Sequence, residues 1–138
     1  MYTLMQKSNK IIYSNESALF LNNLSERTPF NHSVTFPSDS CIPKSIELEC
    51  ECYYIKPEYH DLGLTTKKTT FGSEVRCYNA ERTICDIIRS RRRINEEDLI
   101  NAIKNYVNSK DKDLNLLNDY ASKLKVSKIL RQYLEVLL

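Results

Sequence analysis

The stretch NAERTICDIIRSRRRINEED (residues 79–98) marks the point where the chain changes character. Asn79 can cap a helix with a stripe of isoleucines on one side, and Asn95 can cap the next helix. Five arginines lie within twelve positions of this stretch, and three acidic residues follow them. The pattern predicts two amphipathic helices. It leaves three interpretations of the arginines: a nucleic-acid surface, a catalytic cluster, or the solvated side of the helices.

The composition of the whole chain is that of one globular domain. The chain has 138 residues, of which 41% are apolar and 28% charged, so it can form a hydrophobic core. The net charge of +2 predicts no general attraction to nucleic acid or membranes. No apolar run approaches the roughly 18 residues of a membrane span, and the N-terminus lacks the apolar region of a signal peptide. With only two glycines, P-loop and Rossmann fingerprints are excluded.

One helix and then strands are expected between residues 13 and 78. Ser14 can cap a helix over residues 14–25, and a short strand is predicted around residues 34–36. The sequence TTKKTTFGSEVRCY (residues 65–78) is typical of a hairpin, with Gly72 and Ser73 in a two-residue type II′ turn.

The sequence SIELECECYYI (residues 45–55) gives the clearest strand prediction, because apolar and acidic residues alternate with a period of two. The predicted core face comprises Ile46, Leu48, Cys50, Cys52 and Tyr54. The opposite, solvated face comprises Glu47, Glu49 and Glu51, and we expect these charges to discourage edge-to-edge aggregation.

Only helices are expected after residue 79. Apolar residues recur at helical spacing in residues 96–107, 113–124 and 127–138. The predicted fold class is therefore α+β, with a small, mostly antiparallel sheet packed by an N-terminal helix and a C-terminal set of about four helices. We expect residues 1–138 to form a single domain, in which residues 13–78 supply a helix and the sheet and residues 79–138 the helical half.

The arginines allow a structural and a functional interpretation. In the first, Asp86 pairs with Arg82 and Arg89 on one helix face. In the second, phosphates are bound by a basic patch comprising Arg89, Arg91, Arg92 and Arg93, with Lys67 and Lys68 as further candidates. No aromatic residue for base stacking lies in the arginine stretch, which favours the structural interpretation.

The other reactive side chains predict no active site, metal site or cofactor. Cys50 and Cys52 have C-x-C spacing within an apolar alternation, which favours core packing over zinc binding. Only His32 and His60 could serve as the base for a cysteine nucleophile. The five cysteines, an odd number without a signal peptide, favour free thiols in a cytoplasmic protein.

The arginine stretch also carries a family resemblance. YNAERTICDIIRSR (residues 78–91) resembles a signature of the AbiEi antitoxins, the antitoxins of type IV toxin–antitoxin systems linked to abortive phage infection. KIIYSNESALFLNNLSERTPFNHSVTFP (residues 10–37) is similar to the start of the family's C-terminal domain, and residues 117–138 fit a later segment. The structural motif positions are Tyr13, Ser14, Glu81, Arg82, Thr83 and Asp86. Further matching positions are Ala18, Leu19, Leu24, Arg27, Pro29, Thr35 and Pro37.

The resemblance implies an antitoxin domain that opposes a nucleotidyltransferase toxin of the AbiEii type without a stable complex. Family members usually begin with a winged helix-turn-helix domain that binds DNA, and residues 1–12 look like the join after it, or like a first strand or helix. The family's C-terminal domain carries the neutralising activity and can add basic contacts to DNA. The alternative is a nucleic-acid-binding module that regulates transcription through the basic helix face. A nuclease-like enzyme is a third, less favoured class.

Overall fold

The computed structural model describes residues 11–25, 31–69 and 72–137. Within these ranges the chain forms five strands and six α-helices. The strands are β1 (Ile12–Tyr13), β2 (His32–Pro37), β3 (Cys50–Ile55), β4 (Leu64–Lys68) and β5 (Glu74–Tyr78). The helices are α1 (Asn15–Leu21), α2 (Lys44–Glu49), α3 (Ala80–Arg89), α4 (Glu96–Val107), α5 (Leu114–Lys123) and α6 (Ser127–Leu137). Short 3-10 turns cover Pro57–Tyr59 and Arg91–Arg93. Residues 1–10, within the predicted join, and the motif positions Arg27 and Pro29 lie outside the described residues.

The strands form one sheet in the order β3-β2-β1-β5-β4. The β1–β2 and β4–β5 pairs are antiparallel, whereas β2–β3 and β1–β5 are parallel. The α+β class is confirmed, but the sheet is mixed rather than mostly antiparallel. Parallel neighbours need a crossover of about a dozen residues, and residues 38–49, which contain α2, provide it between β2 and β3.

The predicted strand over residues 45–55 is wrong in its first half. Residues 44–49 form α2, which begins after Pro43 and ends where the backbone of Cys50 becomes extended. Ile46 is fully buried, whereas Leu48 is 77% exposed, so the two do not share a core face. Leucine and glutamate favour helices, and the crossover requires a connection here rather than more strand.

The predicted faces of the second half are correct in part, because Glu51 is exposed and the two cysteines contact an apolar cluster, but the predicted core residue Tyr54 is not buried. Tyr53 and Ile55 are buried, and Tyr54 is 49% exposed. Cys50 and Cys52 are half-buried and pack on the other side of the sheet. The strand is covered on both faces, so a period-two pattern did not identify which face is the more buried.

Two apolar clusters lie on opposite sides of the sheet. The larger cluster joins α1, with Leu19, to α3–α6, and it contains Ile84, Ile87 and Ile88 of the predicted stripe. The smaller cluster uses alternate residues of the strands, among them Val34, and it is covered by Ile46 of α2.

Local helix signals behave differently at the three predicted caps. The side chain of Asn79 accepts a hydrogen bond from the Arg82 N–H at 2.9 Å, and Asn95 caps α4 in the same manner, as predicted. Ser14 occupies the N-cap position of α1, but its hydroxyl does not cap the helix. Instead it accepts a hydrogen bond of 2.6 Å from the hydroxyl of Thr35, because β1 and β2 bring the two buried side chains together.

The predicted β4–β5 hairpin is confirmed, but its turn is longer than predicted. The Thr69 N–H donates to the Ser73 carbonyl at 2.8 Å, and the Gly72 N–H donates to the Thr69 carbonyl at 2.9 Å. Three residues therefore lie between the closing pair. Gly72 has a φ of 84°, a left-handed conformation that favours glycine, and the hydrogen bonds place it at the last position of the loop rather than at the first position of a two-residue turn. No helix in the described part of the chain is long and apolar enough to cross a membrane.

Candidate functional site

Arg82 and Asp86 form a buried ion pair at the junction between the sheet and the helices. Arg82 Nε donates to Asp86 Oδ1 at 3.0 Å, and the side chains are 0% and 4% exposed. Arg82 Nη1 also donates to the carbonyls of Tyr59 and Leu62, each at 2.7 Å. Its guanidinium lies 3.9 Å from the ring centroid of Tyr78. One side chain therefore joins α3, β5 and the segment after β3.

Gly63 allows the chain to pass close to this arginine. A Cβ placed on Gly63 would lie 2.6 Å from the Cβ of Arg82, and the residue has a φ of +79°. The Gly63 carbonyl accepts a hydrogen bond of 2.8 Å from the Asn79 N–H. Both the close approach and the left-handed backbone favour glycine here.

The electrostatics of Asp86 combine two opposing influences. Burial raises the pKa of its carboxyl group, while the positive charges of Arg82 and Arg89 lower it. Arg89 Nη1 lies 3.4 Å from the same oxygen, Oδ1, that binds Arg82. Among the described residues, Asp86 Oδ2 and Arg82 Nη2 are buried without a hydrogen-bond partner. Asp86 therefore serves two arginines through one oxygen.

The start of α3 is fixed by a second set of hydrogen bonds. Glu81 Oε2 accepts from the Tyr106 hydroxyl at 2.6 Å and from the Asp113 N–H at 3.3 Å. Burial and the Glu81 hydrogen bond raise the pKa of Tyr106 above its usual value, so its hydroxyl stays a donor. Thr83 Oγ1 donates to the Asn79 carbonyl at 2.8 Å. Glu81 thereby links α3 to α4 and α5.

All six residues of the structural motif are thus buried. Tyr13, Ser14, Arg82 and Thr83 are 0% exposed, Asp86 is 3% and Glu81 is 8%. Their contacts hold secondary-structure elements together, so the motif is a determinant of the fold.

The arginines beyond this motif do not form one continuous patch. Arg93 Nη1 donates to the Cys52 carbonyl at 3.2 Å, Nη2 donates to Glu51 Oε2 at 3.1 Å, and the guanidinium lies 3.9 Å from the centroid of the Tyr53 ring. Arg89 Nη2 makes a longer contact of 3.5 Å with the Tyr54 carbonyl. Both side chains therefore lie along the outer edge of β3.

The other two members of the predicted patch face solvent. Arg91 Nη1 donates to the Ile88 carbonyl at 2.9 Å, which satisfies one of the last carbonyls of α3. Arg92 is exposed and has no hydrogen bond or ion pair within the described ranges. Arg89 and Arg93 therefore contact the edge of β3, whereas Arg92, and Arg91 apart from this one hydrogen bond, are accessible to a ligand.

Lys67 and Lys68 do not join the arginines. Both lie on β4, at one edge of the sheet, whereas Arg93 packs on β3 at the other edge. Three strands separate these edges, which at a strand spacing of about 4.8 Å places them roughly 19 Å apart.

The predicted acidic ladder does not exist. Glu47 and Glu49 lie on α2, and Glu51 alone lies on β3, where it pairs with Arg93. No group of three or more metal-ligating side chains occurs among the described residues. Burial raises the pKa of Cys85 to about 12, so its thiol is protonated and a poor nucleophile near neutral pH.

One cluster of side chains was missed by sequence reasoning. Lys56, Lys123 and Lys125 converge with Arg89 on a cavity of about 350 Å³. Lys56 directly follows β3, whereas Lys123 is the last residue of α5 and Lys125 lies in the turn before α6, far from Lys56 in the sequence. Only the tertiary packing brings them together, so no local pattern could have identified them.

No protein-family model matches the chain, and no curated protein matches it in sequence. The resemblance to AbiEi antitoxins therefore rests on the motif residues and remains a prediction.

Proposed function

We propose that the chain is a non-enzymatic antitoxin domain of a bacterial type IV toxin–antitoxin system, acting in the cytoplasm against a nucleotidyltransferase toxin in abortive phage infection. The observation that carries the proposal is that the residues of the AbiEi-like signature form a buried framework. Arg82 and Glu81 connect α3 to three other parts of the chain, the segment after β3, α4 and the start of α5, and Asp86 pairs with Arg82, through hydrogen bonds of 2.6–3.3 Å.

A connected framework supports the resemblance more strongly than scattered matches would. Short surface matches arise by chance, whereas the arginine and the carboxylate of this signature must be present together for the buried pair to form. Such a signature argues for a shared fold, and the function is then assigned by analogy with the family.

The proposal is tested by rescue of growth. The chain is expressed from a foreign promoter, in cells that carry a nucleotidyltransferase toxin gene of the AbiEii type under separate control. We expect growth to resume, because the proposed antitoxin domain carries the neutralising activity. The foreign promoter separates this neutralisation from repression of the operon. A double replacement, Arg91→Gln with Arg92→Gln, then shows whether the exposed arginines take part. A folded chain that accumulates to normal levels and does not restore growth would overturn the assignment.

The second candidate is a nucleic-acid-binding module that regulates transcription. The observation that favours it is the solvent-facing pair Arg91 and Arg92. Because Arg89 and Arg93 are engaged with β3, we expect about two phosphate contacts rather than four. The slope of log affinity against log salt for duplex DNA should then be about −1.8.

The two lysines at the opposite sheet edge provide a matched control for this slope. Replacement of Arg91 and Arg92 by glutamine should flatten it, and the same replacement of Lys67 and Lys68 should not. Fluorescence anisotropy with a labelled duplex measures both. Absence of binding even at low salt would rule out this candidate.

A further inference from the structure

The cavity at the end of β3 lies where the two parallel strands β2 and β3 finish. Ser38 directly follows β2, Lys56 directly follows β3, and both line the cavity. Parallel strands present their carboxyl ends on the same side, so the segments that follow β2 and β3 leave the sheet side by side at this cavity. Its volume of about 350 Å³ lies in the range of small-molecule sites.

The charged side chains around this cavity are all cationic. The described lining contains Lys56, Arg89, Lys123 and Lys125 and no acidic residue. Arg89 pairs with Asp86 at 3.4 Å, and Lys123 pairs with a carboxylate at the surface of α5 at 3.1 Å. Lys56 and Lys125 form no ion pair within the described ranges. Like charges gathered around one cavity repel each other, and a bound anion would remove that repulsion.

Lys125 stands at a backbone position that favours glycine. Its φ is 62°, and it follows the end of α5. The Val126 N–H donates to the Ala121 carbonyl at 2.9 Å, and the Lys125 N–H donates to the Ser122 carbonyl at 3.3 Å. This pair of hydrogen bonds defines a Schellman motif, whose left-handed residue is usually glycine. A lysine in this left-handed conformation is less stable than a glycine would be. Its side chain, however, lines the cavity.

The remaining walls suit a flat, partly apolar group. Tyr54 and Tyr59 line the cavity together with Ile55 and Leu124. Tyr54 is 49% exposed, so part of this residue is accessible to a ligand. Aromatic side chains beside a cationic groove are the combination that binds bases and phosphates at once.

We propose that this cavity is a binding site for a free nucleoside triphosphate. The phosphates would be bound by Lys56 and Lys125, the two lining cations that form no ion pair within the described ranges, and the base would pack against the tyrosines. The proposal does not depend on the antitoxin assignment, since it rests only on the charge, volume and location of the cavity.

The test is a binding titration of the whole chain with ATP, GTP, inorganic triphosphate and a single-stranded DNA oligonucleotide, by isothermal titration calorimetry at low salt. We expect at least one of the two nucleotides to bind more tightly than inorganic triphosphate. Lys125→Gly should weaken that nucleotide by roughly tenfold or more, since a charge-assisted hydrogen bond contributes about that much. It should not lower the midpoint of thermal unfolding, because glycine suits the left-handed backbone.

Lys56→Gln should weaken the same nucleotide to a similar degree, and Lys128→Gln is the matched control. Lys128 is exposed on α6 and does not line the cavity, so its replacement should leave affinity unchanged. Four outcomes would overturn the proposal. The first is that neither nucleotide binds at low salt, and the second is that Lys125→Gly and Lys56→Gln leave nucleotide affinity unchanged. The third is that inorganic triphosphate binds more tightly than both nucleotides. The fourth is that the oligonucleotide binds more tightly than both nucleotides and is weakened by the same two variants.

Discussion

Replacement of Asp86 by alanine removes the only carboxylate that pairs with the fully buried Arg82 in the described structure. The variant loses the hydrogen bond of 3.0 Å from Arg82 and that of 3.4 Å from Arg89. Arg89 is 32% exposed and can turn to solvent, but Arg82 is held by its other contacts. The perturbation therefore leaves one buried guanidinium charge without a counter-ion.

The magnitude follows from that uncompensated charge. Removing one partner of a buried ion pair destabilises a protein by about 3–5 kcal/mol. Arg82 keeps two carbonyl acceptors and the Tyr78 ring, so the lower end applies, about 3 kcal/mol. For a domain of this size, the midpoint of thermal unfolding falls by roughly 3–5 °C per kcal/mol, which gives a decrease of about 10 °C.

The assay is thermal unfolding followed by circular dichroism, with urea unfolding for the free energy. A matched control exists in Asp119, which pairs with Lys123 at 3.1 Å with the same i,i+4 spacing but on the surface. Asp119→Ala should destabilise by about 0.5 kcal/mol or less. Glu47→Ala, on the exposed side of α2, should change stability as little. If Asp86→Ala lowers the unfolding midpoint no more than Asp119→Ala does, the Arg82–Asp86 pair does not stabilise the fold.

Two further experiments test the contact of Gly63 with Arg82 and the burial of Cys85 in the core. Gly63→Ala should lower the free energy of unfolding by more than Gly72→Ala does. Both glycines have a positive φ, but only at Gly63 would an added Cβ contact Arg82, at 2.6 Å. Urea unfolding measures the difference, and equal losses of stability would show that the close contact relaxes easily. At pH 8, iodoacetamide should modify the exposed Cys41 and leave Cys85 intact until the chain is unfolded, because burial raises the pKa of Cys85 to about 12. Mass spectrometry of native and denatured samples tests this expectation. Equal labelling rates of the two cysteines in the native protein would contradict the burial of Cys85.

The features that sequence predicted correctly are those set by neighbours in the chain. Asn79 caps α3 through the N–H of a residue three positions later, and the β4–β5 hairpin pairs strands joined by a short loop. The isoleucine stripe of α3 follows from a period that the helix itself imposes. The fold class follows from these local elements.

The features that sequence missed depend on contacts between distant segments. The boundary between α2 and β3 is set by the crossover to β2, and this overrode a good period-two pattern. Arg93 lies on Tyr53 because α3 ends against the sheet edge, some forty residues along the chain. Lys56 and Lys125 meet at one cavity for the same reason. Arginines that are adjacent in sequence predicted one patch. At the end of α3, however, Arg93 contacts β3 and Arg92 faces solvent.

The sheet is made of two locally connected units joined through β1. The pairs β2–β3 and β4–β5 each bring together segments that are close in sequence, whereas Tyr13 of β1 pairs with Cys77 of β5, roughly sixty residues away. Closing so long a loop is slow, because its entropy must be lost before the contact forms. Since β1 also pairs with the nearby β2, we expect β1–β2–β3, β4–β5 and the C-terminal helices to form early, and the pairing of β1 with β5 to be the rate-limiting step of folding.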